Sequence, residues 1–195
     1  MNILSNAPFA LFSEWFQEAT EREPSDVDAA SIATVSPEGK PSIRMVLVRG
    51  ISEQGFSFYT NLGSRKAQDL KLNPNIALCF HWKSIAKQIR IEGEARLVTD
   101  AAADVYFSSR PRESQIGAWA SRQSEELANR KILETRFHEE QEKYADQDIP
   151  RPPFWSGFLL VPNVFEFWEK RPFRLHERRR FDLIAERWQQ TSLYP

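Results

Sequence analysis

A mainly β fold of the α+β class, with helices set between an early and a late group of antiparallel strands, follows from three features of this 195-residue sequence. First, short runs such as Ala29 to Val35 and Phe56 to Thr60 are rich in β-branched, small or aromatic residues, and the second alternates apolar with polar side chains as a half-buried strand does. Second, Ser36-Pro37-Glu38-Gly39-Lys40 and Glu53-Gln54-Gly55 carry turn chemistry that joins antiparallel neighbours. Third, from about residue 100 to 144 the apolar period becomes helical. A β-barrel and a β-sandwich, each decorated by helices, both satisfy these features.

In chain order, Pro8 to Glu21 is predicted to be a helix whose apolar face carries Phe9, Leu11, Phe12, Trp15 and Phe16. The charged, Pro-containing piece Glu21 to Asp28 is a linker. The strand Ala29–Val35 turns through Ser36–Lys40 into its partner, Ser42 to Val48, and Phe56 to Thr60 follows as a third strand. Asn61-Leu62-Gly63-Ser64 is a loop ending in a helix N-cap, and the helix runs from Arg65 to about Leu72, stopping before Asn73-Pro74. Asn75 to Trp82 and Gln88 to Val98 are two further strands joined through Ser84. Thr99 caps a helix over Asp100–Ser109, which Pro111 ends or kinks; Glu113 to Ala120 is a short helix, and Ser124 caps a longer one over about Glu126 to Tyr144. After a Pro-rich linker, Ala145 to Pro153, the strands Gly157–Val161, Val164–Glu169 and Phe173–Phe181 close the chain, with Arg187–Gln190 as a fourth candidate. A single domain over residues 1–195 accommodates all of this, with the helical insertion at about 100–144 and the late strands over 157–190.

The charge balance, 26 basic against 27 acidic residues for a net charge of −1, argues against a general nucleic-acid binder. No apolar run reaches membrane-spanning length, and the N-terminus lacks the pattern of a signal peptide, so a cytoplasmic protein with no membrane partner is expected. The single cysteine, Cys79, lies in the apolar run Ile76–Phe80 and reads as a small buried hydrophobe. His81, His138 and His176 have no zinc-ligand spacing, and neither a dinucleotide fingerprint nor a nucleophile elbow is present; no metal site is expected.

Three groups of residues carry possible chemistry. Arg65 and Lys66 fall in the first turn of a helix, where cations meet the positive end of the macrodipole; a bound phosphate explains them, and so does a tolerated, solvated basic pair. Tyr106, Arg110 and Ser114 recur every four residues and offer a phosphate two hydroxyls and a guanidinium fork, or form an ordinary helix surface. Arg174, His176, Arg178 and Arg180 alternate; on a strand they share one face and need anions or carboxylates opposite. Arg44 and Arg49 bracket an apolar run and, five apart, face opposite ways on a regular strand; a bulge or two separate ligands would reconcile them.

Taken together, R-M-V-L-V-R (44–49), F-Y-T-N-L-G-S-R-K (58–66), K-Q-I-R-I-E-G (87–93), Y-F-S-S-R-P-R-E-S-Q-I-G-A-W-A-S-R-Q-S (106–124), F-W-S-G-F (154–158), E-F-W (166–168) and R-L-H-E-R (174–178) resemble the pyridoxamine/pyridoxine 5′-phosphate oxidase family along nearly the whole chain. The resemblance implies an FMN-binding split β-barrel of antiparallel, Greek-key type. It also implies a homodimer with FMN in the cleft between subunits, and oxidation of pyridoxamine and pyridoxine 5′-phosphates to pyridoxal 5′-phosphate by O2. Arg44, Lys66 and Ser124 would hold the FMN phosphate, with Met45, Val46, Leu47, Tyr59, Thr60, Arg65 and Gln123 beside the cofactor, and Gln88, Trp168 and Arg178 would meet the flavin. Arg49, Tyr106, Arg110 and Ser114 would bind the substrate phosphate, and Arg174 and His176 would face the pyridine ring as the catalytic pair. One departure stands out: the family commonly carries Lys where this chain has Arg49, which keeps the charge and changes the geometry.

Overall fold

Alternation along each strand decides which side chains enter the core. The computed structural model describes residues 7–195. Helix α1 (Ala7–Arg22) precedes β1 (Ala29–Val35), β2 (Pro41–Ser52) and β3 (Gly55–Asn61). Helix α2 (Arg65–Leu72) leads to β4 (Asn75–Trp82) and β5 (Lys87–Leu97). Helices α3 (Asp100–Ser108), α4 (Arg112–Ala120) and α5 (Arg130–Lys143) follow, and then β6 (Trp155–Glu169), β7 (Glu177–Ile184) and β8 (Arg187–Ser192).

The strands form one sheet in the order β3-β2-β1-β4-β5-β6-β7-β8, and β3 pairs back onto β6, so that six strands close into an antiparallel barrel and β7 and β8 extend it. Passing from β3 through α2 to β4, the chain skips over β2 and β1, a Greek-key connection. Of the two architectures left open above, the protein adopts the barrel. Ile32, Phe56, Phe58, Leu78, Phe80, Ile89, Ile91, Phe165 and Phe167 fill its core. The predicted apolar face of α1 docks onto it: Phe12 meets Phe56 and Phe80 at ring distances of 4.8 and 5.4 Å, and Trp15 stands perpendicular to Phe167 at 5.2 Å. A second cluster, Phe107, Ile116, Tyr144, Ile149 and Trp155, joins the helical insertion to the start of β6. Among the described residues no helix is long and apolar enough to cross a membrane.

Several predicted elements are corrected. The segments Gly157–Val161 and Val164–Glu169 are one strand, β6, because Pro162 sits at a bulge where Asn163 is the extra residue opposite Glu92 and Gly93. Strand β2 likewise runs past Val48 to Ser52 through a bulge at Arg49. Helix α5 starts at Arg130 with Asn129 as its cap, whose side chain accepts from the Ile132 N–H; Ser124, with φ 76°, caps nothing. Phe173–Phe181 is not a continuous strand. Pro172 cannot donate to a ladder, a 3₁₀ turn spans Pro172–Arg174, and β7 begins only at Glu177, so Arg174 and His176 do not alternate with Arg178 and Arg180 along a strand.

Barrel closure brings backbones close where β3 begins. Gly55 has φ 140°, and a Cβ there would lie 1.9 Å from the Leu160 carbonyl oxygen of β6. Gly55→Ala should therefore destabilise the fold by roughly 2–4 kcal/mol, read as a lower urea midpoint; a wild-type midpoint would show that closure tolerates a side chain here.

Candidate active site

The turn from β3 into α2 builds a cationic pocket floor. Ser64 occupies the N-cap position of α2, but its hydroxyl makes no capping bond. Instead it accepts a hydrogen bond from Lys66 Nζ at 3.3 Å, and Lys66 also donates to Thr60 Oγ1 at 3.0 Å and Gln123 Oε1 at 3.3 Å. Lys66 is only 7% exposed, and none of these partners is a carboxylate. Burial, and next the charge of Arg44, push its pKa down to about 8. Arg44, on the core-facing side of β2, donates to Thr34 Oγ1 at 2.8 Å and Ser42 Oγ at 2.7 Å. Burial lowers its pKa; the Asp69 carboxylate opposes that shift and Arg65 adds to it. Three cations and an uncapped helix start thus converge with Asp69 as the carboxylate acting on Arg44, an arrangement suited to a polyvalent anion.

A second cationic end lies between α3 and α4. Tyr106, Arg110 and Ser114 line one cleft despite the break at Pro111. Arg110 Nη1 is buried with no hydrogen-bond partner, the only such side-chain nitrogen or oxygen among the described residues. Its guanidinium lies 4.8 Å from the Trp155 ring centre and 5.7 Å from that of Phe107. Burial lowers its pKa, with Tyr106 acting the other way. Tyr59 stacks on Tyr106 at 3.9 Å and on Trp155 at 5.6 Å. Gly157 permits this, since a Cβ there would sit 2.7 Å from the Tyr59 ring. The Tyr59 hydroxyl is shifted up by burial and by Tyr106. Arg49 reaches the same cleft from the β2 bulge, with Nη1 on Asp28 at 2.7 Å.

Between these ends the cleft measures about 650 Å³, within the range of small-molecule sites, and Met45, Val46, Leu47, Thr60 and Gln123 line it as well. Other predicted site residues lie elsewhere. Arg44 stands behind Lys66 and does not line the cleft itself, Arg65 is exposed beside Arg44, and Ser124 is exposed in the loop before α5. Gln88, Trp168 and Arg178 sit side by side on β5, β6 and β7, with the His176 ring 4.7 Å from Trp168 and Arg174 exposed in the adjoining turn. None of this second group lines the cleft of its own chain. The carboxylates expected opposite the arginines are present: Arg178 pairs with Glu166 and Arg180 with Asp182, at 2.8 and 2.7 Å. Sequence reasoning missed Trp155 and Asp28 as parts of the site. The Trp opening a strand after a Pro-rich linker was a signal for the first; a charge in a linker gave none for the second.

The family model described as "Pyridoxamine 5′-phosphate oxidase" matches residues 16–144, and that described as "Pyridoxine 5′-phosphate oxidase C-terminal dimerisation region" matches residues 155–195. A pyridoxine/pyridoxamine 5′-phosphate oxidase of Sphingopyxis alaskensis is 53% identical over 98% of this chain and 89% of its own. One from Rhodospirillum rubrum is 52% identical over 96% of each. Among solved structures, PhzG of Burkholderia lata, in complex with tetrahydrophenazine-1-carboxylic acid, superposes with a TM-score of 0.92 at 29% identity, covering 96% of this chain and 92% of that one.

Lys66 gives the site a pH signature. Because its native pKa, about 8, is below the ordinary 10.5, the unfolded chain binds more protons between those values. The cost of burying the ammonium is therefore full below about pH 8 and fades as pH rises toward 10.5. Ligand-free Lys66→Met should be more stable than wild type at neutral pH by on the order of 1–2 kcal/mol, with the gap closing above pH 8, and inorganic phosphate should raise the Tm of wild type alone. Thermal melts across pH check this; a variant less stable at pH 7 would mean that the lost hydrogen bonds outweigh the buried charge.

Proposed function

Since this chain belongs to the pyridoxamine 5′-phosphate oxidase family, we propose that it oxidises pyridoxamine and pyridoxine 5′-phosphates to pyridoxal 5′-phosphate, with FMN as cofactor and O2 as electron acceptor. The observation that carries this reading is the pair of cationic ends of one cleft, at buried Lys66 and at half-buried Arg110 with its buried Nη1, each without a carboxylate partner. Two such ends suit two phosphates, one on a cofactor and one on a substrate.

The donor set fits FMN. Lys66, Arg44 and the uncapped start of α2 hold its phosphate, with Arg65 and Ser124 at the rim, while Tyr59, Thr60, Gln123 and the Met45–Leu47 stretch line its path. The chemistry that FMN supplies when bound is hydride acceptance from the substrate's 4′ carbon and reduction of O2 to hydrogen peroxide. Arg110, Tyr106, Ser114 and Arg49 hold the substrate phosphate. Trp155 keeps the Arg110 guanidinium flat and desolvated, which strengthens each hydrogen bond it gives to an anion. With the amine substrate, water hydrolyses the product imine and ammonia leaves.

Arg174 and His176 orient the pyridine ring, and Gln88, Trp168 and Arg178 meet the flavin, from a second copy of the chain. Three observations support that assembly. The second group lies away from its own cleft, the dimerisation-region match spans all of it but Gln88, and β2 exposes Ile43 and Met45, 70% and 61% accessible, beside the cleft. A homodimer places each group against the other copy's cleft and covers the apolar strand.

The purified protein should be yellow, and anaerobic pyridoxine 5′-phosphate should bleach it while unphosphorylated pyridoxine should not. Arg110→Ala should raise the substrate KM by roughly tenfold to a hundredfold and leave FMN content unchanged. Equal turnover of pyridoxine with and without its phosphate, or faster turnover of tetrahydrophenazine-1-carboxylic acid, would reject the phosphate assignment.

A further inference from the structure

We propose that Arg171 is a positioning residue that fixes the pose of Arg174 and His176 toward the substrate; this rests on the reading above that those two face the pyridine ring. The turn between β6 and β7 passes through two successive non-glycine residues in the left-handed region, Phe173 at φ 58° and Arg174 at φ 62°. Such a conformation persists only where its surroundings over-determine it. Apolar packing within the chain does not supply that, because Phe173 is 92% and Leu175 68% exposed there.

Polar contacts from Arg171 hold the turn instead. Its Nη1 and Nη2 donate to the two oxygens of Glu169, each at 3.0 Å, and its Nε donates to Glu177 Oε1 at 2.9 Å. Glu169 and Glu177 face each other in register at the ends of β6 and β7, where two carboxylates repel unless a cation lies between them. One guanidinium therefore ties together the two strand ends that flank Arg174 and His176. Exposed ion pairs usually contribute little, but a bidentate fork with a third partner is the geometry that escapes this rule. The backbone N–H of Arg171 also donates to His176 Nδ1 at 3.2 Å. That bond makes Nδ1 the acceptor and leaves Nε2 as the N–H donor of the neutral ring. The Arg171 side chain thus ties the turn that carries Arg174, and that turn holds His176 Nδ1 against the backbone N–H, a donor that any residue but proline would supply. Lysine, whose donors all radiate from one nitrogen, cannot reproduce the planar fork on both oxygens of Glu169 together with the Glu177 contact.

The test uses the FMN-loaded enzyme. Arg171→Ala should lower kcat/KM for pyridoxine 5′-phosphate by roughly tenfold to a hundredfold, with both kcat and KM affected and with FMN content and Tm unchanged. Arg171→Lys should recover only part of the loss. Independently, imidazole ¹⁵N–¹H spectra report the tautomer. With three histidines in the chain, His176→Asn identifies the His176 signal, which should be Nε2–H in wild type; Arg171→Ala keeps the backbone N–H, so a mixture there reads out a turn that has loosened and moved His176 off that donor. Wild-type kinetics in Arg171→Ala, or a loss that tracks FMN content or Tm, would overturn the positioning role. If the His176 signal shifts while Arg174→Ala and His176→Ala oxidise substrate like wild type, the clamp is real but the assigned role of the turn falls, and the positioning role falls with it.

Discussion

The pairing of β3 with β6 is the constraint on which the rest of the protein depends. It runs in register from Phe56 opposite Leu160 to Asn61 opposite Trp155 and turns an open sheet into a barrel. Without it β3 would be an exposed edge, an invitation to pair with other chains. The same ladder builds the site. It sets Trp155 and Gly157 beside Tyr59, which allows the Tyr59–Tyr106–Trp155 stack that backs Arg110. It also delivers Thr60 to the point where α2 starts, so that Thr60 and Ser64 meet Lys66. Both cationic ends of the cleft therefore hang from one pair of strands, and strain in that ladder is felt at both.

Partners separate the structural cations from those left for a ligand. Arg151 bridges Asp100, Asp104 and the Trp155 carbonyl, tying α3 to the start of β6. Arg112 donates to carbonyls at the end of α5, those of Tyr144, Ala145 and Gln147. Arg90 and Arg178 share the buried carboxylate of Glu166. Each of these is satisfied within the chain. Lys66 and Arg110 differ: the first has its hydrogen bonds but is buried among hydroxyls and an amide with no counter-ion, and the second has a buried nitrogen with nothing to bond. Keeping a cation dry without a counter-ion costs stability, and functional sites are where such costs concentrate. A net charge of −1 conceals this, because a total says nothing of where charges lack partners.

Much of this was legible where local pattern decides structure. Strands β1 and β4 and helix α2 have the bounds that alternation and Asn73-Pro74 predict, and Thr99 does cap α3 by accepting from the Ala102 N–H. The failures came where two local rules competed. Pro162 reads as a breaker, yet a bulge absorbs it within β6; Ser124 and Asn129 are both good caps, and only packing chooses between them. Alternating charge in 174–180 imitated a strand, while Pro172 marked the turn that the chain makes. In the site, cations at a helix start and the four-residue spacing of Tyr106, Arg110 and Ser114 pointed to the two ends, and the family resemblance supplied their roles. Contacts such as Arg49 to Asp28 and Trp155 to Tyr59 join residues distant in sequence, and no local pattern encodes them.

Strand β2 explains how one short run serves both ends of the cleft. Arg44 and Arg49 are five apart, so a regular strand turns them to opposite sides, and the structure keeps them there: Arg44 lies with Thr34 on the core side, and Arg49 reaches the cleft. The bulge leaves Arg49 unpaired and shifts the register by one residue, and the ladder resumes at Gly50 opposite Ser57. Arg49 is engaged there through Nη1 alone, on Asp28. A guanidinium held in this way is fixed in orientation by a carboxylate outside the ligand site and keeps further N–H donors in the same plane for a phosphate. The ammonium of a lysine at this position would have no fixed plane, and pairing it with Asp28 would draw its single charge centre away from the cleft. Arginine at position 49 thus reconciles two demands, an anchor to the linker before β1 and, on the function proposed above, a grip on the substrate anion.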